Sequence, residues 1–373
     1  MGMGMNSGDR IEPYLHAGPD PAPGPALRRH RPEFTGETME YFGIWIVNLV
    51  LSVLTLGIYS AWAKVRSHRY LYANTRMDGA PFEYLADPIT ILKGRLIAYA
   101  LLIVLGVSVK LQMLWVFIPL YLLLFATFPW LIQLGLRFRA RYSAWRGLRF
   151  RFEGSVGDAY INFMLLPIAS LFTLHLLLPY VVMQQQKYAM GWHSYGGRKF
   201  SFNGDVGKYY AAFIIAIGLG LTMMVIMVTA IAAGAAGLKA AIGETVPGTG
   251  MSITLMVLLA VMYLAFLTVP IYLRTKWCNL MWGNTALGAH RFASTLQVRT
   301  MIWLYLSNGL AILLSLGLAV PWATIRMLRY RLSCTELLAH GSLDDFVAQA
   351  SASQSAAGAE LVDALDLGMD IAL

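Results

Sequence analysis

The stretch YFGIWIVNLVLSVLTLGIYSAWAKVRSHRYLYANTRMDGAPFEY (Tyr41–Tyr84) decides the architecture: an apolar run passes directly into a basic, aromatic tail and a Gly-centred turn. The same unit returns later in the chain. A shift of 118 positions aligns Phe34, Gly36, Thr55, Trp62, Tyr70, Gly79 and Phe82 with Phe152, Gly154, Thr173, Tyr180, Tyr188, Gly197 and Phe200, without a gap. A shift of 260 aligns Asn48, Gly57, Trp62, Arg66, Tyr70 and Thr75 with Asn308, Gly317, Trp322, Arg326, Tyr330 and Thr335. Repeats therefore occupy 34–84, 152–202 and 301–335, the third without the Gly-centred end. The end motif also stands alone, as Gly147 with Phe150, and as Asn284 and Thr285 with Phe292, matching Asn74, Thr75 and Phe82.

Around these repeats the chain is too apolar for a soluble domain. Of its 373 residues 57% are hydrophobic and 13% charged, and mean hydropathy is +0.57, the profile of a polytopic membrane protein. Seven apolar runs approach the length that spans a bilayer as helix: 41–63, 96–109, 114–136, 159–183, 209–236, 252–273 and 301–323. They read as A-B-A-B-A, each A a single run and each B a pair joined by a short turn. Residues 1–32 are expected to form a disordered, Gly- and Pro-rich tail without the apolar core of a signal peptide. Residues 342–373 are expected to form a loosely ordered, partly helical tail, acidic and Ala-rich, with no chemistry of its own. Cys278 and Cys334 imply neither a disulfide framework nor a metal cluster.

Charge placement sets the expected topology. Of 29 Lys and Arg, all but Lys110 and Lys239 lie in the tail or between the units, which places every basic segment on the cytoplasmic side. Seven crossings cannot do that. The expected fold is therefore an all-α polytopic protein with four full spans and three broken or re-entrant A runs, the breaks falling at Gly57, Pro179 and Gly317 to Pro321. Seven ordinary spans are the rival. The segments ending in Asp78-Gly79, Phe82 and Tyr84, and their copies, alternate aromatic with polar residues after a tight turn. They read as short cytoplasmic β-hairpins able to pair into a small sheet.

Ile44 to Asn48, Thr55 to Tyr59, Trp62 to Arg66, Arg69-Tyr70, Asn74-Thr75 and Leu92 to Arg95 together resemble the YjgN family, uncharacterised multi-pass proteins of the bacterial inner membrane. Ala61 departs from the Pro frequent there, which Pro179 and Pro321 keep. The resemblance implies an inner-membrane location and no established activity.

No catalytic constellation emerges, and neither an enzyme nor a cofactor is expected. His68, His193 and His290 lack metal-ligand spacing, and the apolar runs hold no Asp or Glu, unlike the runs of ion-coupled transporters. The A runs do hold Asn48, Thr55, Thr173, His175 and Asn308, which either line a polar path or satisfy freed backbone at helix breaks. The basic tails (Lys64, Arg66, Arg69, Arg137, Arg139, Arg141, Arg326 and Arg329) suit anionic lipid headgroups better than nucleic acid, because they abut the spans. Two functions follow: a non-enzymatic inner-membrane protein with a lipid-contacting basic cytoplasmic face, or a passive channel for a small solute.

Overall fold

The computed structural model describes residues 27–242 and 265–352. Its organising element is one antiparallel sheet of eleven short strands: β1 (Leu27–His30), β2 (Glu33–Phe34), β3 (Thr75–Met77), β4 (Ala80–Tyr84), β5 (Ser143–Trp145), β6 (Leu148–Phe152), β7 (His193–Tyr195), β8 (Arg198–Phe202), β9 (Thr285–Leu287), β10 (His290–Ser294) and β11 (Thr335–His340). The order is β1-β11-β10-β9-β8-β7-β6-β5-β4-β3-β2. The edge strands β1 and β2 are consecutive in the chain, with only Arg31 and Pro32 between them. Laid flat, eleven strands would separate the edges by about 48 Å, yet three Cα steps reach at most about 11 Å. The sheet must curl until its edges meet.

This overturns the all-α expectation, in both its four-span and its seven-span form. Three helices among the described residues are long and apolar enough to cross a membrane: Pro88–Lys110, Leu114–Arg141 and Val206–Ala232. Most of the 252–273 run lies outside the described residues. The A runs are not single helices. Residues 41–63 fall within two helices, Thr38–Leu54 and Ser60–Ala73, joined by a turn; Val156–Phe172 with Leu178–Gly191, and Val298–Leu314 with Val320–Ser333, repeat the arrangement.

The physical reason lies at the turns. Thr55 Oγ1 donates to Leu51 O (2.7 Å) and accepts the Tyr59 amide (2.9 Å). Thr173 and Ser315 do the same for Leu177 and Ala319. Each hydroxyl thus holds a backbone group that the helix break has freed. The residue after each of them, Leu56, Leu174 and Leu316, adopts positive φ, and Gly57, His175 and Gly317 follow with φ of +88°, +64° and +95°.

The other end of each pair is also tied. The Tyr70 hydroxyl accepts the Glu37 amide, that of Tyr330 accepts the Gln297 amide, and that of Tyr188 donates to Ser155 O, each at 2.9 Å across 33 residues. The recurring Gly36, Gly154 and Gly204 lie under the rings of Phe34, Phe152 and Phe202, where a Cβ would overlap ring carbons.

Two segments assigned above to tails are structured. Residues 27–30 form the edge strand β1, paired with β11 from Leu27↔His340 to His30↔Leu337. Residues 343–352 form a helix whose Leu343, Phe346 and Ala350 are buried against Trp145, Leu148, Tyr195 and Leu287. Arg146 bonds both Asp344 and Asp78 there. The pairing of the first and the docking of the second involve partners far along the chain, which short-range pattern does not show.

Candidate functional site

Strand alternation gives the curled sheet two unlike faces. Glu83, Arg149, Arg151, Ser201 and Arg291 are exposed, whereas the residues between them point inward. The inward residues meet in register across neighbouring strands: Phe82↔Trp145, Phe150↔Tyr195, Phe200↔Leu287 and Phe292↔Leu337. These eight side chains form an apolar girdle. Ring centroids lie 6.1 Å apart for Phe82 and Trp145, 4.8 Å for Phe150 and Tyr195, and 6.0 Å for Phe200 and Phe292.

The polar atoms of the girdle are satisfied by backbone, so ring faces are left for the interior. Trp145 Nε1 donates to Ala80 O (3.2 Å), and the Tyr195 hydroxyl donates to Trp145 O (2.9 Å). Burial pushes the Tyr195 phenol well above its ordinary range, so it stays a neutral donor.

The girdle lines a half-open chamber of about 990 Å³. One end is closed by Leu343 and Phe346 of the C-terminal helix, where Phe346 stacks on Tyr195 at 6.1 Å and meets His290 edge-on at 4.9 Å. The other end is lined from the helices by Val182, Gln186, Leu273, Arg274, Trp277, Cys278, Met281 and Arg331. Gln186 is bound by the Tyr209 hydroxyl and by Trp277 O. Glu336, the acid in the lining, is held by Arg31 at 2.7 Å and by Arg29 at 3.9 Å. Burial foremost, then Arg198, His340 and His30, hold the His290 imidazole below its ordinary range.

The chemistry on offer is enclosure of an apolar molecule. Among the described residues no group of three or more His, Cys, Asp and Glu is placed to hold a metal.

The residues singled out from sequence fall in three places. Phe82, Phe150, Phe200 and Phe292 line the chamber, as does Thr75. Gly79, Gly147 and Gly197 make the positive-φ turns of its hairpins; Tyr70 donates to Glu37 O across its helix pair, Asn74 and Asn284 donate back to Tyr70 O and Leu280 O of the helices they end, and Thr285 of β9 donates to Met281 O. Trp62 stacks on Tyr59.

Asn48, Thr55, Thr173, His175 and Asn308 are not brought together. Asn48 donates to Ala63 O and Ser67 Oγ (both 3.3 Å), and Asn308 donates to Ala323 O (3.4 Å), each inside its own helix pair. His175 is exposed at a turn.

Of the basic residues, Arg69 donates to Ala86 O, Arg329 to Gly36 O, and Arg326 to Ser307 and Asn308 while lying over Trp322. Burial, then the positive charges of Arg95 and Arg139, lower the Lys64 pKa. Arg66, Arg137 and Arg141 occupy the same helical tails.

Sequence reasoning missed Trp145, Tyr195, Leu287, Arg274, Arg331 and Phe346. The first three share a position with Met77: each is the last strand residue before a hairpin turn, a pattern visible once the hairpins are stacked.

A family model described as "Bacterial protein of unknown function (DUF898)" matches residues 29–364. The chain is similar to the inner membrane protein YjgN of Salmonella typhimurium, 32% identical over 154 residues, which are 40% of this chain and 38% of that one. It is likewise 32% identical to inner membrane protein YjgN of Escherichia coli O157:H7 over 137 residues (36% and 34% of the two chains), and 33% identical to that of strain K12 over 133 (35% and 33%). The aligned stretches thus span well under half the length of these relatives. No solved structure matches the chain.

Proposed function

The chain belongs to the DUF898 family, that of the YjgN inner-membrane proteins, and on that premise we propose that it is a lipid-binding inner-membrane protein. It holds a lipid-like molecule in the aromatic chamber and acts by binding, not catalysis. The observation that carries this reading is the chamber itself: about 990 Å³, girdled by eight apolar side chains. That volume lies at the upper end of small-molecule pockets, which are concave and mostly apolar.

Its lining supports the same reading. The helix-side lining includes Leu273 and Trp277, apolar side chains of the helix Thr268–Gly283. The protein is multi-pass, its basic segments face the cytoplasm, and Lys64, Arg95 and Arg139 rest against anionic headgroups. The channel reading lacks comparable support, because Asn48 and Asn308 use their amides inside separate helix pairs.

Native mass spectrometry of protein extracted from membranes tests the proposal. A co-purified lipid adduct is expected, and filling the chamber with Met281→Trp plus Leu332→Trp, both positions lining it, should abolish it without lowering the melting temperature. An adduct retained at full occupancy in the filled variant would sink the proposal.

A further inference from the structure

The structure assigns the chamber a more specific guest: an acyl-chain amphiphile with an acidic headgroup, its tail in the aromatic girdle and its headgroup against Arg331 and Arg274. This rests on the lipid-binding reading above and adds the charge.

Arg274 and Arg331 both line the helix end of the chamber, Arg274 at its exposed mouth and Arg331 half-buried. Among the described residues neither guanidinium makes an ion pair, and the Nε–H of Arg331 is buried without a hydrogen-bond partner. A guanidinium is always charged and has five donors in a planar fork. Leaving such a donor unpaired away from water is costly.

The chamber cannot neutralise these charges from within. Glu336, the carboxylate in its lining, is engaged by Arg29 and Arg31. Cys278, Thr335 and Ser294 carry no negative charge as neutral groups, and Gln186 is bound by Tyr209 and Trp277. An anion arriving with the guest would satisfy both arginines at once, in the bidentate geometry that carboxylates and phosphates offer.

The opposite end is built for a tail. Phe82, Trp145, Phe150, Tyr195, Phe200 and Phe292 surround it with ring faces, and Leu343 and Phe346 close it. One cationic end and one apolar end, in a single cavity, is the complement of an amphiphile and not of a free anion or a neutral hydrocarbon.

The test compares 1-oleoyl lysophosphatidic acid, 1-oleoylglycerol with the same chain, and inorganic phosphate, each added to the full-length protein in detergent and read as adduct occupancy by native mass spectrometry. The acidic amphiphile is expected to bind at least tenfold more tightly than the neutral one, and phosphate alone should leave no adduct. Arg331→Gln with Arg274→Gln should bring the two amphiphiles to within about twofold by weakening the acidic one alone. Arg331→Lys, which keeps the charge, should retain most of the preference and controls for folding.

Equal affinity of the two amphiphiles in the native protein would overturn the charge assignment and leave the lipid chamber standing. Binding of neither would overturn both. A preference that survives the double Gln substitution, or a phosphate adduct without any tail, would also overturn the assignment.

Discussion

Replacing Phe346 with Ala is expected to release the C-terminal helix while the sheet stays folded. Helix 343–352 is shorter than the length at which isolated helices hold in water, so its order depends on docking. It docks through Leu343, Phe346 and Ala350. Burying a Leu and a Phe contributes about 1.5–3 kcal/mol each, so the two supply roughly 3–6 kcal/mol before the entropy of ordering the helix is subtracted.

Truncating a buried Phe to Ala costs about 3–5 kcal/mol, most or all of that gain. The pairing of Arg146 with Asp344 cannot compensate, because the aspartate side chain is 82% exposed and surface ion pairs contribute little. Hydrogen exchange on protein in lipid nanodiscs reads the outcome. A loss of about 3 kcal/mol predicts exchange in 343–352 accelerated more than 100-fold, at about 1.4 kcal/mol per tenfold, with β6 to β9 unchanged. Unaltered helix protection would refute the docking argument. Equal acceleration in the strands would show that the helix is not a separable unit.

Further substitutions test other parts of the fold. Gly196→Ala would place a methyl in the space of Ala350, at a φ of +57°, and should expose the C-terminal helix to protease as Phe346→Ala does. His175→Gly should raise the melting temperature, since His175 stands at φ +64° where the matching turns use Gly57 and Gly317; relief of about 1 kcal/mol is the scale of a left-handed non-glycine residue. Gly154→Ala should lower it, because the new Cβ would lie 2.5 Å from Phe152 Cζ and 2.8 Å from Tyr188 Oη, an overpacking that costs about 1–3 kcal/mol.

What the sequence made legible was the repeated local device, and what it hid was closure. Asp78-Gly79, Phe82 and Tyr84 announce a hairpin through a turn pair and period-two alternation, both local properties. That Phe82 faces Trp145, and Phe200 faces Leu287, requires pairing across whole helical units, and no local pattern carries that. The edge is harder still. Leu27–His30 looks like the end of a Pro-rich tail, and it becomes a strand only because β11, over 300 residues later, offers an unpaired edge. Arg331 illustrates the same limit for the site: in sequence it is one more basic residue of a helix tail, and its place in the chamber depends on the curl of the sheet.

The sheet also accounts for the charge distribution. Each helical unit leaves from the end of one strand and returns to the start of its neighbour in the sheet, and those ends are paired: Phe34↔Thr75, Tyr84↔Ser143, Phe152↔His193, Phe202↔Thr285 and Ser294↔Thr335. Antiparallel pairing fixes the two ends of every unit at one level, whatever length of helix lies between them. An excursion of 17 and 14 residues, as in Thr38–Leu54 and Ser60–Ala73, and one of 23 and 28, as in Pro88–Lys110 and Leu114–Arg141, therefore both begin and end at the sheet. Many of the basic residues cluster at those ends, beside the sheet. The hydropathy pattern recorded how far each unit extends from the sheet, and the charges recorded where the sheet is.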